Sequence, residues 1–132
     1  MIVLDASVVV DLLLDVPPHC TGIFERIRRE PGGAAAPHLL DAEVGQVVRR
    51  LTLARRIDAL RARAVLRDLG EFSVVRYPHG PLLDRAFALR DQVTMYDALY
   101  IVLAEALGAR LLSRDRALGR VRGHQARVEI LP

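Results

Sequence analysis

The sequence predicts a single α/β domain, a central parallel sheet of about five strands flanked by helices. Three observations predict it. Short apolar runs alternate with longer segments of helical periodicity, starting at the first residues. Units of that kind build parallel sheets covered on both faces, because the connecting helices must pack back on the sheet. Neither a linker nor an internal repeat interrupts the 132 residues, a length that suits one domain, 1–132, with its own core.

In chain order, Ile2–Leu4 reads as a short buried strand ending at Asp5, and Ser7 is the expected cap of a helix running to about Leu14. Asp15 to Pro18 breaks that helix, and a second is expected from His19 to Arg29. Pro31, Gly32 and Gly33 form a turn before Ala34–Ala36, a weakly marked second strand. Helical periodicity then covers Leu39 to about Ala54 and Ile57 to Leu69, the latter closed by Gly70. Ser73–Arg76 is the third strand, followed by a loop from Pro78 to Pro81. Helices are expected over Leu82–Gln92 and Tyr96–Leu107, with Gly108 as a left-handed cap. Arg110–Ser113 is the fourth strand, Arg116–Arg120 a helical turn and Arg127–Ile130 the fifth strand.

Composition excludes several classes. Just over half the residues are hydrophobic and no tract is low in complexity, so disorder is not expected. The first residues reach Asp5 before an apolar segment develops, so a secretory leader is not expected, and the apolar stretch Ala98–Leu107 is too short to span a bilayer. The lone Cys20 has no internal disulfide partner, consistent with a reducing cytoplasm. The net charge is +3 and every one of the 19 basic residues is arginine. With no lysine, phosphate clamps and Schiff bases built on lysine are ruled out. That counts against phosphotransfer enzymes of the haloacid-dehalogenase type and receiver domains, which also begin with a strand ending in Asp.

Ligands of an open parallel sheet bind beyond the carboxyl ends of its strands. Asp5 ends the first strand, and Asp115 follows the fourth by two residues. Glu43 lies in the first turns of a helix that follows the second strand. Asp97 starts the helix that leads into the fourth strand, so its N-terminus lies at that strand's carboxyl edge. All four acids therefore point to one rim. Asp97 sits in Tyr96-Asp97-Ala98-Leu99-Tyr100-Ile101-Val102-Leu103, an almost wholly apolar run where an unpaired carboxylate is costly. A favourable helix-dipole position explains Asp97 alone, but not three further acids at the same edge. Clustered carboxylates repel one another, and divalent metal is the common remedy. Oxygen ligands suit Mg²⁺ or Mn²⁺, which can activate water and neutralise a phosphate undergoing in-line displacement. Ser113 could orient a carboxylate or a water, and so could Ser7 beside Asp5.

The stretches Val3-Leu4-Asp5-Ala6-Ser7, Ala42-Glu43-Val44-Gly45, Thr94-Met95-Tyr96-Asp97-Ala98-Leu99-Tyr100 and Leu111-Leu112-Ser113-Arg114-Asp115 resemble the PIN-domain nucleases, and among them the VapC toxins of bacterial toxin–antitoxin pairs. The resemblance covers essentially the whole chain. It implies a metal-dependent endoribonuclease, using Mg²⁺ or Mn²⁺, that cuts a structured RNA such as tRNA or rRNA. It implies Asp5 and Asp97 as principal metal ligands, with Glu43 and Asp115 completing the acidic pocket, and a threonine is common where this chain has Ser113. It also implies a homodimer silenced by a VapB-type antitoxin, which alone contacts DNA. The alternative is a catalytically inactive PIN-like module that only binds RNA or protein.

Other features carry less. Arg49 and Arg50, with Arg55, Arg56, Arg61, Arg63 and Arg67, crowd two successive helices and could meet phosphates or simply form a solvated face. The histidines are scattered without ligand spacing. Asp41 is expected as a solvated cap, and Tyr96 and Tyr100 as packing residues.

Overall fold

The computed structural model describes residues 1–16 and 19–132. The strands are β1 (Ile2–Leu4), β2 (Ala34–Pro37), β3 (Val74–Tyr77), β4 (Arg110–Ser113) and β5 (Arg127–Ile130), and the helices are α1 (Ala6–Leu13), α2 (His19–Arg29), α3 (Leu39–Leu53), α4 (Ala59–Glu71), α5 (Leu83–Phe87) and α6 (Met95–Leu107). All five strands pair in parallel in the order β3-β2-β1-β4-β5. The chain thus builds outward from β1 through β2 to β3, then returns to place β4 on the other side of β1. The direction of winding reverses between β1 and β4, which opens a crevice at their carboxyl ends.

The centre of the sheet is apolar because it is covered on both faces. Ile2, Val3 and Leu4 are fully buried, as are Leu111 and Leu112 in the neighbouring β4. Burying side chains of this size contributes about 1.5–3 kcal/mol each. Helix α6 lies against β1, β2, β4 and β5 with α5 beside it, and Ala98 to Ala104 are buried without a break. A helix apolar all round belongs inside, not on a surface. Helices α1 to α4 pack among themselves, with α1 reaching β4 and α3 reaching β2. The small residues of β2, which make it a weak strand on propensity, are buried between the two layers.

Four local expectations need correction. Ser7 does not cap α1; Asp5 does, in an extended conformation with its carboxylate accepting the Val8 N–H at 3.2 Å. Asp58 caps α4, so that helix starts later than its apolar pattern implies and runs through Gly70 to Glu71. The expected helix over Leu82–Gln92 is only α5, preceded by a 3-10 turn at Gly80–Leu82. Beyond Phe87 the N–H groups of Leu89, Arg90 and Gln92 bond three residues back, so the α-helical ladder has ended. Asp41 is not a solvated cap but binds the Arg76 guanidinium through both oxygens, at 2.7 and 2.8 Å. Of the expected break after α1, Asp15 adopts the left-handed conformation (φ 52°), while Pro17 and Pro18 lie outside the described residues.

Candidate active site

The crevice between β1 and β4 is held by one carboxylate and two hydroxyls. Asp5 follows β1 directly and is only 7% exposed. Its Oδ1 accepts from the Ser7 hydroxyl at 2.5 Å and from the Val8 N–H at 3.2 Å, and its Oδ2 accepts from the Ser113 hydroxyl. The serines then look the other way along the chain. Ser7 Oγ accepts the Arg114 N–H at 3.1 Å and Ser113 Oγ accepts the Asp115 N–H at 2.9 Å. Two hydroxyls therefore stitch the end of β1 to the turn after β4. A carboxylate offers about four lone-pair sites, and three are taken here. Oδ2 keeps one for a further partner. Burial raises the Asp5 pKa, against the hydrogen bonds from Ser113, Ser7 and the backbone, which lower it.

The other three acids approach this point from separate elements. Asp97 stands in the first turn of α6, whose cap is the Thr94 hydroxyl accepting the Asp97 N–H at 3.2 Å. Burial raises its pKa, and the charges of Asp115 and Asp5 raise it further. Glu43 lies in the second turn of α3; burial raises its pKa, with Asp97 and Asp5 adding to it and Tyr100 opposing. Asp115, on the exposed turn after β4, spends Oδ1 on the Ala117 N–H at 2.9 Å. The Tyr100 hydroxyl lies beside the Glu43 carboxylate and the Thr94 hydroxyl beside that of Asp97, each lowering its neighbour's pKa against burial. Asp97 thus lies within electrostatic reach of Asp5 and Asp115, and Glu43 within reach of Asp97 and Asp5, with Ser7 and Ser113 holding Asp5 in place. The structure does not bring in Arg49 and Arg50. These are exposed, and lie about 9–10 Å further along α3 than Glu43 at the helical rise per residue.

The donor set suits a hard cation. It is all oxygen and negative, and burial first, then the neighbouring acids, raises the pKa values of Glu43 and Asp97. Among the described residues, no three His, Cys, Asp or Glu side chains close into a cage for one ion. A small divalent ion that keeps several waters needs no such cage, since one or two carboxylates suffice. A second sign of an incomplete site is the Tyr100 hydroxyl, buried without any hydrogen-bond partner.

Tyr100 is the residue that the sequence understates. Its ring packs in the core as expected, but its hydroxyl faces the acids. The signal was there in its spacing: three residues after Asp97 on α6, it shares that residue's face of the helix. Arg114 is a different case. It lies between Ser113 and Asp115, and its guanidinium is drawn onto the buried Asp11 at 2.6 Å. No spacing rule connects residues so far apart in sequence.

Comparison with known proteins agrees with this geometry. A family model described as PIN domain matches residues 2–124. The chain is 40% identical over 130 residues to a protein named Ribonuclease VapC1 from Mycobacterium tuberculosis, covering 98% of this chain and 96% of that one. Among solved structures, it resembles PAE2754 from Pyrobaculum aerophilum with a TM-score of 0.68 and 26% identity, covering 96% of this chain and 81% of the other. It also resembles VapBC2 from Rickettsia felis, solved bound to a DNA fragment from its promoter, with a TM-score of 0.69, 15% identity and 98% of each chain covered. At that identity, the last likeness speaks to the fold alone.

Proposed function

This chain belongs to the PIN domain family, and we propose that it is a metal-dependent endoribonuclease, the toxic component of a type II toxin–antitoxin pair. The observation that carries this reading is the Asp5 carboxylate, fixed by two serines at the crevice of the sheet within reach of Glu43 and Asp97, with Asp115 beside Asp97. The relatives named Ribonuclease VapC, at 33–40% identity over nearly the full chain, support RNA as the substrate.

In this reading Asp5 and Asp97 hold Mg²⁺, with Mn²⁺ able to replace it, and Glu43 and Asp115 complete the pocket. The ion would supply Lewis acidity to a phosphate oxygen and offset the charge of the acids. Hydrolysis breaks one P–O bond of RNA and adds water across it. Glu43, which no arginine pairs among the described residues and whose pKa is raised by burial, is the group we assign to take a proton from that water. Ser7 and Ser113 keep Asp5 from turning. Arg49 and Arg50, exposed on α3, meet the RNA backbone away from the cut. The RNA is a structured one, tRNA or rRNA. The partner is a VapB-type antitoxin, through which alone the protein meets DNA, and the toxin is a cytoplasmic homodimer. No helix among the described residues is long and apolar enough to cross a membrane.

The test is cleavage by the purified, partner-free chain. RNA should be cut in Mg²⁺ or Mn²⁺ and left intact in EDTA. Undiminished cleavage in excess chelator overturns the metal mechanism, and no cleavage with any divalent ion favours an inactive binding module.

A further inference from the structure

The acid cluster holds a mismatch. Tyr100 is 1% exposed, and its hydroxyl is buried with no hydrogen-bond partner. Beside it stands the Glu43 carboxylate, and the two act on each other as hydrogen-bonding neighbours without reaching full hydrogen-bond geometry. A buried donor thus stands next to an acceptor that it does not fully engage. Leaving a buried hydroxyl unpaired is unfavourable, and most such groups in folded proteins find partners. Phenylalanine would fill the same core space without that penalty. A hydroxyl kept under these conditions calls for a reason outside the packing.

Its surroundings supply one. The charged groups that act on the phenol are Glu43 first, then Asp5 and Asp97, all members of the cluster. A tyrosine hydroxyl is protonated throughout the neutral range, so it stands ready as a donor. Its neighbours on α6, Leu99, Ile101 and Leu103, are buried and apolar and offer the hydroxyl no side-chain acceptor. Among the described residues, the charged acceptors that act on it belong to the acid cluster.

We propose that Tyr100 is a positioning residue: its hydroxyl donates to the Glu43 carboxylate when the site is loaded, and so aims Glu43 at the cation and substrate. This rests on the metal-nuclease reading above and extends it to a residue that touches neither RNA nor ion. Asp5 is oriented by two serines and a backbone N–H. Glu43 projects from α3 on a longer, freer side chain, and the buried Tyr100 on α6 is the neighbour placed to anchor it. Groups that orient a metal ligand in this way commonly change metal affinity or activity about 10–100-fold when removed.

The test is Tyr100→Phe, alone and in a Glu43→Gln background. In chelator, Tyr100→Phe should melt at or above wild type, because the hydroxyl it loses makes no full hydrogen bond in the unloaded fold. Mn²⁺ binding to the RNA-free protein, read by electron paramagnetic resonance, should weaken about tenfold. Cleavage should lose kcat by a similar factor, with KM for RNA moving less than about twofold. In the Glu43→Gln background, Tyr100→Phe should weaken Mn²⁺ binding no further. A Tyr100→Phe protein that melts well below wild type in chelator, yet binds Mn²⁺ equally well, makes the hydroxyl structural and overturns the proposal. An undiminished effect in the Glu43→Gln background overturns the assignment to Glu43. A wild type that binds no Mn²⁺ and cuts no RNA overturns the nuclease reading itself, which separates the two failures.

Discussion

Replacing Ser113 by alanine tests the centre of the site without touching an acid. Ser113 is fully buried and its hydroxyl serves two partners, donating to Asp5 Oδ2 and accepting the Asp115 N–H. A hydrogen bond to a charged group contributes about 1.5–3 kcal/mol and a neutral one about 0.5–1.5 kcal/mol. Losing both should cost about 2–4 kcal/mol, which in a chain of this length lowers the melting midpoint by roughly 10 °C. The pH dependence identifies the partner. The hydroxyl lowers the Asp5 pKa against burial, which raises it. Without the hydroxyl the folded pKa climbs further above the unfolded value near 4. An acid raised in this way keeps its stability below the unfolded pKa and loses it as pH rises through the folded one. The deficit of Ser113→Ala should therefore be larger at pH 7 than at pH 4, measured by thermal melts in chelator. A deficit equal at both pH values would refute the claim that Ser113 serves an ionised Asp5. Ser113→Thr keeps the hydroxyl and should retain most of the stability.

Asp97→Asn should abolish cleavage yet melt at or above wild type in chelator at pH 7, since burial and then the charges of Asp115 and Asp5 disfavour its ionised form. That advantage should vanish as pH falls to about 4, and reverse in excess Mg²⁺ as wild type gains binding free energy; paired melts check both. Replacing Arg49 and Arg50 by glutamine should flatten the dependence of log affinity for RNA on log salt by about 1–2 units, and an unchanged slope would remove them from the RNA-facing surface. Arg55, just past the Ala54 cap of α3, adopts the left-handed conformation (φ 58°), so Arg55→Gly should raise stability by about 1 kcal/mol in a denaturant titration.

The fold was legible because its signals are local and strong. Apolar runs with turn residues between them mark β1, β4 and α6, and Gly108 ends α6 with the expected left-handed cap (φ 60°). The misplacements fall where two local signals compete. At the start of α1, Asp5 and Ser7 are both good caps; the chain chose Asp5, because its extended backbone continues the line of β1. Near Leu82–Gln92, a helical pattern follows Pro81 but the ladder fails after one turn. In the site, Asp5, Glu43, Asp97 and Asp115 could be singled out as candidates because topology alone sends strand ends and helix starts to one rim. Tyr100 and Arg114 could not be weighed in the same way. Whether a tyrosine hydroxyl finds an acceptor, or which carboxylate an arginine reaches, depends on packing between distant segments that periodicity does not record.

The acids divide into those the fold pairs and those it leaves alone, and the division follows the proposed work of the site. Glu105 and Glu129 lie away from the crevice, and hydrogen bonds from Arg85 and Arg26 hold their pKa values low. They stabilise the fold above the ordinary carboxylate range and lose that contribution as pH falls. Asp5, Glu43 and Asp97 behave in the opposite sense, each raised by burial first, and they weigh against the unloaded fold as pH rises. The chain carries 19 arginines, and one lies beside Asp115 on either side, yet no ion pair joins an arginine to any of these three acids among the described residues. Arg114 is instead tied to Asp11, away from the cluster. An arginine placed among the acids would relieve their repulsion permanently and would occupy the lone pair left on Asp5. Keeping guanidinium groups out leaves the negative charge available to a cation, so that the repulsion disfavouring the empty site becomes part of the free energy that fills it.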